Sequence, residues 1–289
     1  MIDESKNIPP RKIPDALLSK YTMDGKLNIR YSYQDDHYPV TKPILYTTEM
    51  LDSYIKEVSK QIEISYPKTT TFLYKALRKY SITGKSVAIL GSRLPAFESI
   101  CLYYGGQPTT IEYNKIISQD PRLKVMTVAE YNNNPIQFDA AVSISSFEHD
   151  GLGRYGDPLN PEGDFEAMRK TKGMIKPGGL LFLAIPVGVD TLVWNAHRVY
   201  GRMRLEKLLS DWKILDVFNP WALTLDTDWG NGFGIQPVFV LENTSAQGKN
   251  LNVIYYKGMI PRLIIKFRIR VKYLLEIIKN KLKRRLNYN

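Results

Sequence analysis

Apolar positions divide the chain into stretches of different period. From Thr47 to about Tyr80, Leu51, Tyr54, Ile55, Val58 and Ile62, then Phe72, Leu73, Ala76 and Leu77, recur at helical spacing on either side of Pro67. That spacing predicts two helices, because a 3.6-residue period puts these side chains on one face and proline cannot continue the backbone ladder. Beyond Ser81 the pattern changes to short β-rich runs: SVAILG (86–91), PTTIEY (108–113), LKVMTV (123–128), FDAAVSI (138–144), GLLFLAI (179–185), WKILDVF (212–218) and PVFVLE (237–242). The interior runs are continuously apolar, as strands covered on both faces are, and their spacing suits parallel crossovers. The last two are joined by 219–236 with no helical period, which predicts an antiparallel pair at the sheet edge. The expected fold is α/β, a mostly parallel seven-stranded sheet with an antiparallel edge hairpin and helices on both faces.

Around that core, residues 1–45 mix Pro, Tyr and charge without a sustained period and read as an N-terminal arm or cap. Residues 46–80 form the helical lead-in, 81–245 the domain, and 246–289 a linker and a C-terminal helix. In that last helix Ile264, Phe267, Val271, Leu274, Leu275, Ile278, Leu282 and Leu286 make one apolar face, with Lys and Arg over much of the rest. Charge changes the picture here. The chain carries +11, yet residues 258–289 hold ten Lys/Arg against the single acid Glu276, which leaves only +2 for residues 1–257. A nearly balanced body argues against a phosphate-binding surface, so nucleic acid is the least favoured partner. A basic amphipathic helix suits peripheral contact with an anionic membrane, and packing on the body or on a second subunit is its alternative. The single cysteine, Cys101, excludes an internal disulfide framework and points to a reducing, cytoplasmic setting. Cys101 itself, among the apolar neighbours of ESICLYY, reads as a buried small hydrophobe. The polar, proline-containing N-terminus has no apolar signal segment, and no long uncharged apolar run predicts a membrane-spanning helix.

Ligands of open α/β sheets bind beyond the carboxyl ends of the strands, where strand order reverses. After the first strand the chain turns at Gly91 and starts a helix near Pro95. Glu112 ends the second strand 21 positions after Gly91, where a carboxylate can accept hydrogen bonds from both hydroxyls of a ribose. The stretch SSFEHDGLGRYGDPLNPEGD after the fourth strand is too rich in functional side chains to be a minimal connector. WNAHRVYG follows the fifth strand at its carboxyl end, and its bland reading is a capped helix start packed on Trp194.

The succession FDAAVSISSFEH, a helix ending in MIKPGG, and the strand LLFLAIP resembles the fourth-to-fifth strand region of class I S-adenosylmethionine-dependent methyltransferases. More narrowly, FEHDGLGRYGDPLNPEGD through NAHRVYGRMRL resembles a family of methyltransferase-like proteins known as domain of unknown function 268. The resemblance spans about residues 81–245. It implies a Rossmann-like methyltransferase fold and S-adenosylmethionine as cofactor, held by Gly91, Ser92, Arg93, Glu112, Ser145 and Glu148. One departure is that Gly91-Ser92-Arg93 lacks the second glycine usual in the first loop. Side chains at Ser92 and Arg93 are therefore expected to crowd the cofactor, unless Arg93 pairs with its carboxylate.

Transfer to oxygen or nitrogen requires in-line approach, exclusion of water and often a base. His149 is the first base candidate, oriented by Glu148 or Asp150, and His197 is placed equally well. The catalytic set is thus His149, Asp150 and His197, and Arg154, Tyr155, Asn195, Arg198 and Tyr200 are expected to bind a polar, hydroxyl-rich or anionic acceptor. Asp150, Asp157 and Asp164 with His149 offer oxygen ligands in one loop that would suit Mg²⁺ or Ca²⁺, but loop aspartates are more often turn formers and Asp157 precedes Pro158, so no metal is expected. These features together lead to methyl transfer to a sugar hydroxyl of a glycan or glycolipid. A catalytically degenerate scaffold is the alternative, and a nucleic-acid methyltransferase is the third reading. Against the third, the fourth-strand position reads SISSFEH and lacks the Asn/Asp-Pro-Pro-Tyr/Phe signature of amino-methylating enzymes.

Overall fold

The computed structural model describes residues 8–36, 43–66, 68–219, 225–234 and 236–244. Helix α1 (Asp15–Tyr21) and strands β1 (Asn28–Tyr31) and β2 (Ile44–Tyr46) come first, followed by the two expected helices, α2 (Thr48–Ser59) and α3 (Thr69–Lys79). Helix α2 starts at Thr47, whose hydroxyl accepts the Met50 N–H and satisfies one of the free donors of the first turn. The core then runs β3 (Ser86–Leu90), α4 (Ala96–Tyr103), β4 (Gln107–Glu112), β5 (Ile116–Ser118), β6 (Lys124–Thr127), α5 (Val128–Asn133), β7 (Phe138–Ile144), α6 (Gly163–Met174) and β8 (Ile175–Ala184). It closes with β9 (Thr191–Trp194), β10 (His197–Val199), α7 (Arg202–Leu209), β11 (Lys213–Phe218) and β12 (Val238–Glu242).

All seven expected strands form one sheet, in the order β11-β12-β8-β7-β3-β4-β6. Strands β6, β4, β3, β7 and β8 are parallel, and β12 runs antiparallel to both β8 and β11. The pleat sends alternate residues to opposite faces. Ala88, Leu90, Ala141, Leu181 and Leu183 pack with Phe165 and Met168 of α6 and Leu205 and Leu208 of α7. Val87, Ile89, Ala140, Val142, Leu180 and Phe182 pack with Leu73 and Leu77 of α3 and Phe97 and Ile100 of α4. Two apolar faces on one strand explain the continuous hydrophobic runs. Strand order reverses between β3 and β7, which opens the crevice at their carboxyl ends.

The region before Thr47 contributes paired strands that its sequence pattern does not show. β1 lies parallel to β9, which pairs antiparallel with β10, and β2 lies parallel to β5. Strands of three or four residues are too short to display a period, and their partners are remote in sequence. WNAHRVYG is not a helix start. It is the turn and second strand of the β9–β10 hairpin, with Trp194 fully buried, edge-on to Tyr21 at 5.1 Å and donating its indole N–H to Pro10 O. The C-terminal helix expected over 246–289 lies outside the described residues. Among the described residues no helix is long and apolar enough to cross a membrane.

A buried ion cluster ties the hairpin to the core. Asp164, in the first turn of α6, accepts two hydrogen bonds from Arg204 of α7 (2.9 and 2.6 Å) and one from the Tyr200 hydroxyl (2.9 Å), and Arg198 Nε lies 3.9 Å away. Burial opposes its ionised form, but Arg198 and Arg204 outweigh burial and hold the carboxyl below its usual range. Asp190 caps α7 from a distance, accepting the N–H groups of Gly201, Met203 and Arg204. Asp164→Ala would leave two arginines unpaired in the interior. We expect it to lower unfolding stability by about 3–5 kcal/mol, measured by urea denaturation, with a loss under about 1 kcal/mol, the range of an exposed pair, showing that the cluster holds nothing together.

Candidate functional site

The crevice has two sides, one built on the ends of β3 and β4 and the other on the end of β7 and the β9–β10 hairpin. On the first, Gly91 takes φ +74, and a Cβ there would collide with Ser146 Oγ, so only glycine lets the two loops pack. Ser92 is buried, and its hydroxyl is turned inward to Leu94 O (2.8 Å) and Glu98 Oε2 (3.0 Å). The expected crowding by Ser92 is therefore corrected, because that side chain faces the helix behind the loop. Tyr46 donates to Ser92 O and Thr110 donates to Glu98 Oε1, so α4, β2 and β4 all brace the turn. Arg93 stays on the exposed side.

Glu112 is half-buried at the end of β4 and accepts the Tyr113 N–H at 2.8 Å. Burial raises its pKa, and the N–H groups of Tyr113, Asn114 and Ser92 and the charge of Arg93 work against that rise. Tyr113, the next residue, is exposed, as is Leu94 after the turn that follows β3. A carboxylate beside exposed apolar surface fits a nucleoside, the acid meeting ribose hydroxyls and the apolar groups meeting the base.

On the second side Ser145 has φ +53 and donates to Glu148 Oε1 (2.6 Å) while accepting from Gln236 Nε2 (3.0 Å). Gln236 is held in turn by the Thr69 hydroxyl, which donates to its carbonyl. Glu148 is fully buried, and burial pushes its carboxyl up to about 7. His149 Nδ1 lies 2.7 Å from Ala196 O, which can only accept, so this nitrogen carries the proton and Nε2 is left 3.8 Å from Glu148 Oε1. Burial, then Arg154, lower the His149 pKa to about 3, and burial lowers that of His197 to about 4, so both rings are neutral. Phe233 stacks on His197 at 4.1 Å and stands edge-on to His149 at 6.1 Å. Tyr155 packs edge-on to His149 at 5.5 Å. Asp150 is half-buried, its carboxyl pushed up by burial and by Asp157.

Several expected acceptor ligands turn out to be framework. Arg198 is 2% exposed and donates to the carbonyls of Asp150, Glu148 and Asn160. Tyr200 is fully buried on Asp164. Asn195 pairs through both ends of its amide with the backbone of Gln34. With their polar atoms committed to the protein, these three do not reach the cleft as ligands. Arg154 borders it, but its guanidinium is held by Asp36 (2.7 Å) and Ala196 O (3.2 Å). Asp157 accepts the N–H groups of Gly151, Gly153 and Tyr155, which is the turn-forming role expected of it. Among the described residues no group of three His, Cys, Asp or Glu is placed to hold a metal. Glu98, Gln236, Phe233 and Asp36 are the residues that sequence reasoning missed. Only Glu98 carried a signal, an acid inside the apolar helix AFESICLY.

This sheet order, with one antiparallel strand inserted next to the edge and a cleft at the β3/β7 reversal, defines the Rossmann-like α/β fold of the class I methyltransferases. Residues 84–224 match the family described as "Caenorhabditis protein of unknown function, DUF268", which bears out the narrower resemblance. No curated protein sequence matches the chain. Among solved structures, the chain is similar to a 1,6-didemethyltoxoflavin-N1-methyltransferase of Burkholderia thailandensis with S-adenosylhomocysteine bound (TM-score 0.44, 10% identity, 67% of this chain and 87% of that one). Further likenesses are a candidate hemolysin from Streptococcus thermophilus (0.42, 16%, 72% and 79%) and the N-methyltransferase NodS of Bradyrhizobium japonicum (0.39, 12%, 68% and 97%).

Burial pushes the Glu98 carboxyl from 4.5 up to about 7. Between those values the native state holds a proton that the unfolded chain has lost, so this group makes stability fall as pH rises. In urea denaturation at about pH 5 and about pH 7, we expect the stability of wild type relative to Glu98→Gln to drop across the interval. An unchanged difference would mean that Glu98 is ionised throughout.

Proposed function

We propose that this protein is an S-adenosylmethionine-dependent methyltransferase acting on a polar acceptor. The observation that carries the reading is Glu112 at the carboxyl end of β4, half-buried, next in sequence to exposed Tyr113 and one strand from the reversal point. Gly91, Ser92 and Arg93 form the loop under the cofactor, Glu112 binds the ribose hydroxyls, and Ser145 and Glu148 close the far wall. The cofactor, when bound, supplies the electrophilic methyl group on its sulfonium.

The chain's own groups handle the acceptor. A hydroxyl acceptor would have to give up its proton on methylation. His149, neutral with its Nε2 lone pair open, accepts that proton, and Glu148 at 3.8 Å stabilises the resulting charge. Asp150 and His197 flank the pair, and Tyr155 with Phe233 shields it from water. The acceptor this reading favours is a sugar hydroxyl of a glycan or glycolipid, with the cytoplasmic enzyme held peripherally at a membrane by 258–289. Support for it lies in the polar loop 148–164 and in the composition of the tail.

Calorimetric titration with S-adenosylmethionine and S-adenosylhomocysteine tests the reading. Both are expected to bind, and Glu112→Ala to weaken each by about tenfold or more through lost charge-assisted hydrogen bonds. No binding to a cooperatively folded sample would sink the proposal.

A further inference from the structure

The cluster around Ser145 leaves hydrogen-bond acceptors without donors. Ser145 has one hydroxyl proton, given to Glu148 Oε1, so its oxygen accepts from Gln236 Nε2, and this sets the orientation of the Gln236 amide. Glu148 Oε2 and Gln236 Oε1 then have no partner. His197 donates from Nε2 to Gly232 O (3.3 Å), so its unpartnered Nδ1 carries a lone pair. His149, donating from Nδ1, presents a lone pair at Nε2. Glu148, His197 and Gln236 are 0, 1 and 5% exposed, and they are contiguous through Ser145, His149 and Phe233. With Glu148 ionised, each unsatisfied atom in this cluster is an acceptor, and buried acceptors are stabilised only by a donor.

The surrounding charge decides what kind of donor fits. Arg154 is engaged by Asp36 and Ala196 O, and Arg198 by three main-chain carbonyls, while the unsatisfied atoms are themselves acceptors, which repel an anion. Their positive charge persists nonetheless, and an ammonium group would meet the same field that, after burial, disfavours a protonated His149.

We propose that Glu148, Gln236, His197 and His149 form a subsite for an uncharged group bearing several hydrogen-bond donors, such as adjacent hydroxyls of a sugar or other polyol. Glu148 then faces the acceptor and not the cofactor. The inference rests on the methyltransferase reading only in naming this ligand as the methyl acceptor.

One sugar ring in three charge states tests it. Full-length protein saturated with S-adenosylhomocysteine is titrated with methyl glucoside, glucuronate and glucosamine. The glucoside is expected to bind about tenfold or more tightly than either charged analogue, and Gln236→Leu to weaken it by about tenfold. A cooperative melt reports that the variant is folded, and Gln236→Met serves if the first does not fold. Equal or tighter binding of glucuronate or glucosamine overturns the subsite, as does no glucoside binding by wild type or unchanged binding in the folded variant. Failure of S-adenosylhomocysteine to bind overturns the methyltransferase reading instead, and the three sugars are then compared on the protein alone.

Discussion

The carboxylate of Asp164 is the constraint on which the half of the molecule built on β7 and the β9–β10 hairpin depends. A buried charge is tolerated only when paired and hydrogen-bonded, and Asp164 meets that condition with groups from three other places: Arg204 of α7, Tyr200 after the hairpin and Arg198 within it. Each partner reaches further. Arg204 also donates to Pro161 O, and Arg198 to the carbonyls of Glu148, Asp150 and Asn160. The loop that carries Glu148 and His149 is thus folded around arginine side chains, not around an apolar core of its own. Its glycines serve this compactness: at Gly151 and Gly163 a Cβ would collide with the backbone of Asn160 and Asp150.

The cleft has two walls of different construction. The first wall is made by adjacent parallel strands whose ends are braced from behind by Glu98 and Tyr46, so its geometry follows from the sheet. The second is assembled from the arm, the loop after β7 and the β9–β10 hairpin. Gln34 continues the edge of β1 by bonding to the Asn195 amide, Asp36 holds Arg154, and Arg30 meets Asp228 beside the loop carrying Phe233. Local sequence neighbours contribute little to this wall, which is why its hydrogen bonds join residues far apart in the chain.

That wall also separates two uses of polar side chains. Arg198, Tyr200 and Asn195 satisfy carbonyls and a carboxylate inside the protein, whereas Glu148, Gln236 and His197 each keep an acceptor atom unsatisfied. The first set stabilises the frame. The second retains capacity for a ligand, at a cost of about 1–3 kcal/mol for each buried group left without a donor.

The seven strands and the two leading helices were readable from the chain alone, since apolar residues on both faces of a strand, or on one face of a helix, follow a period that needs no knowledge of the partner. Gly91, Glu112 and the loop after β7 were located for the same reason, because they fall at strand ends. Tertiary structure alone decided the rest. It paired β1 with β9, turned Ser92 toward Glu98, assigned Arg198 and Tyr200 to the interior and brought Gln236 to Ser145. A polar side chain has no period, and whether it supports the frame or faces a ligand depends on donors and acceptors supplied by residues distant in the sequence.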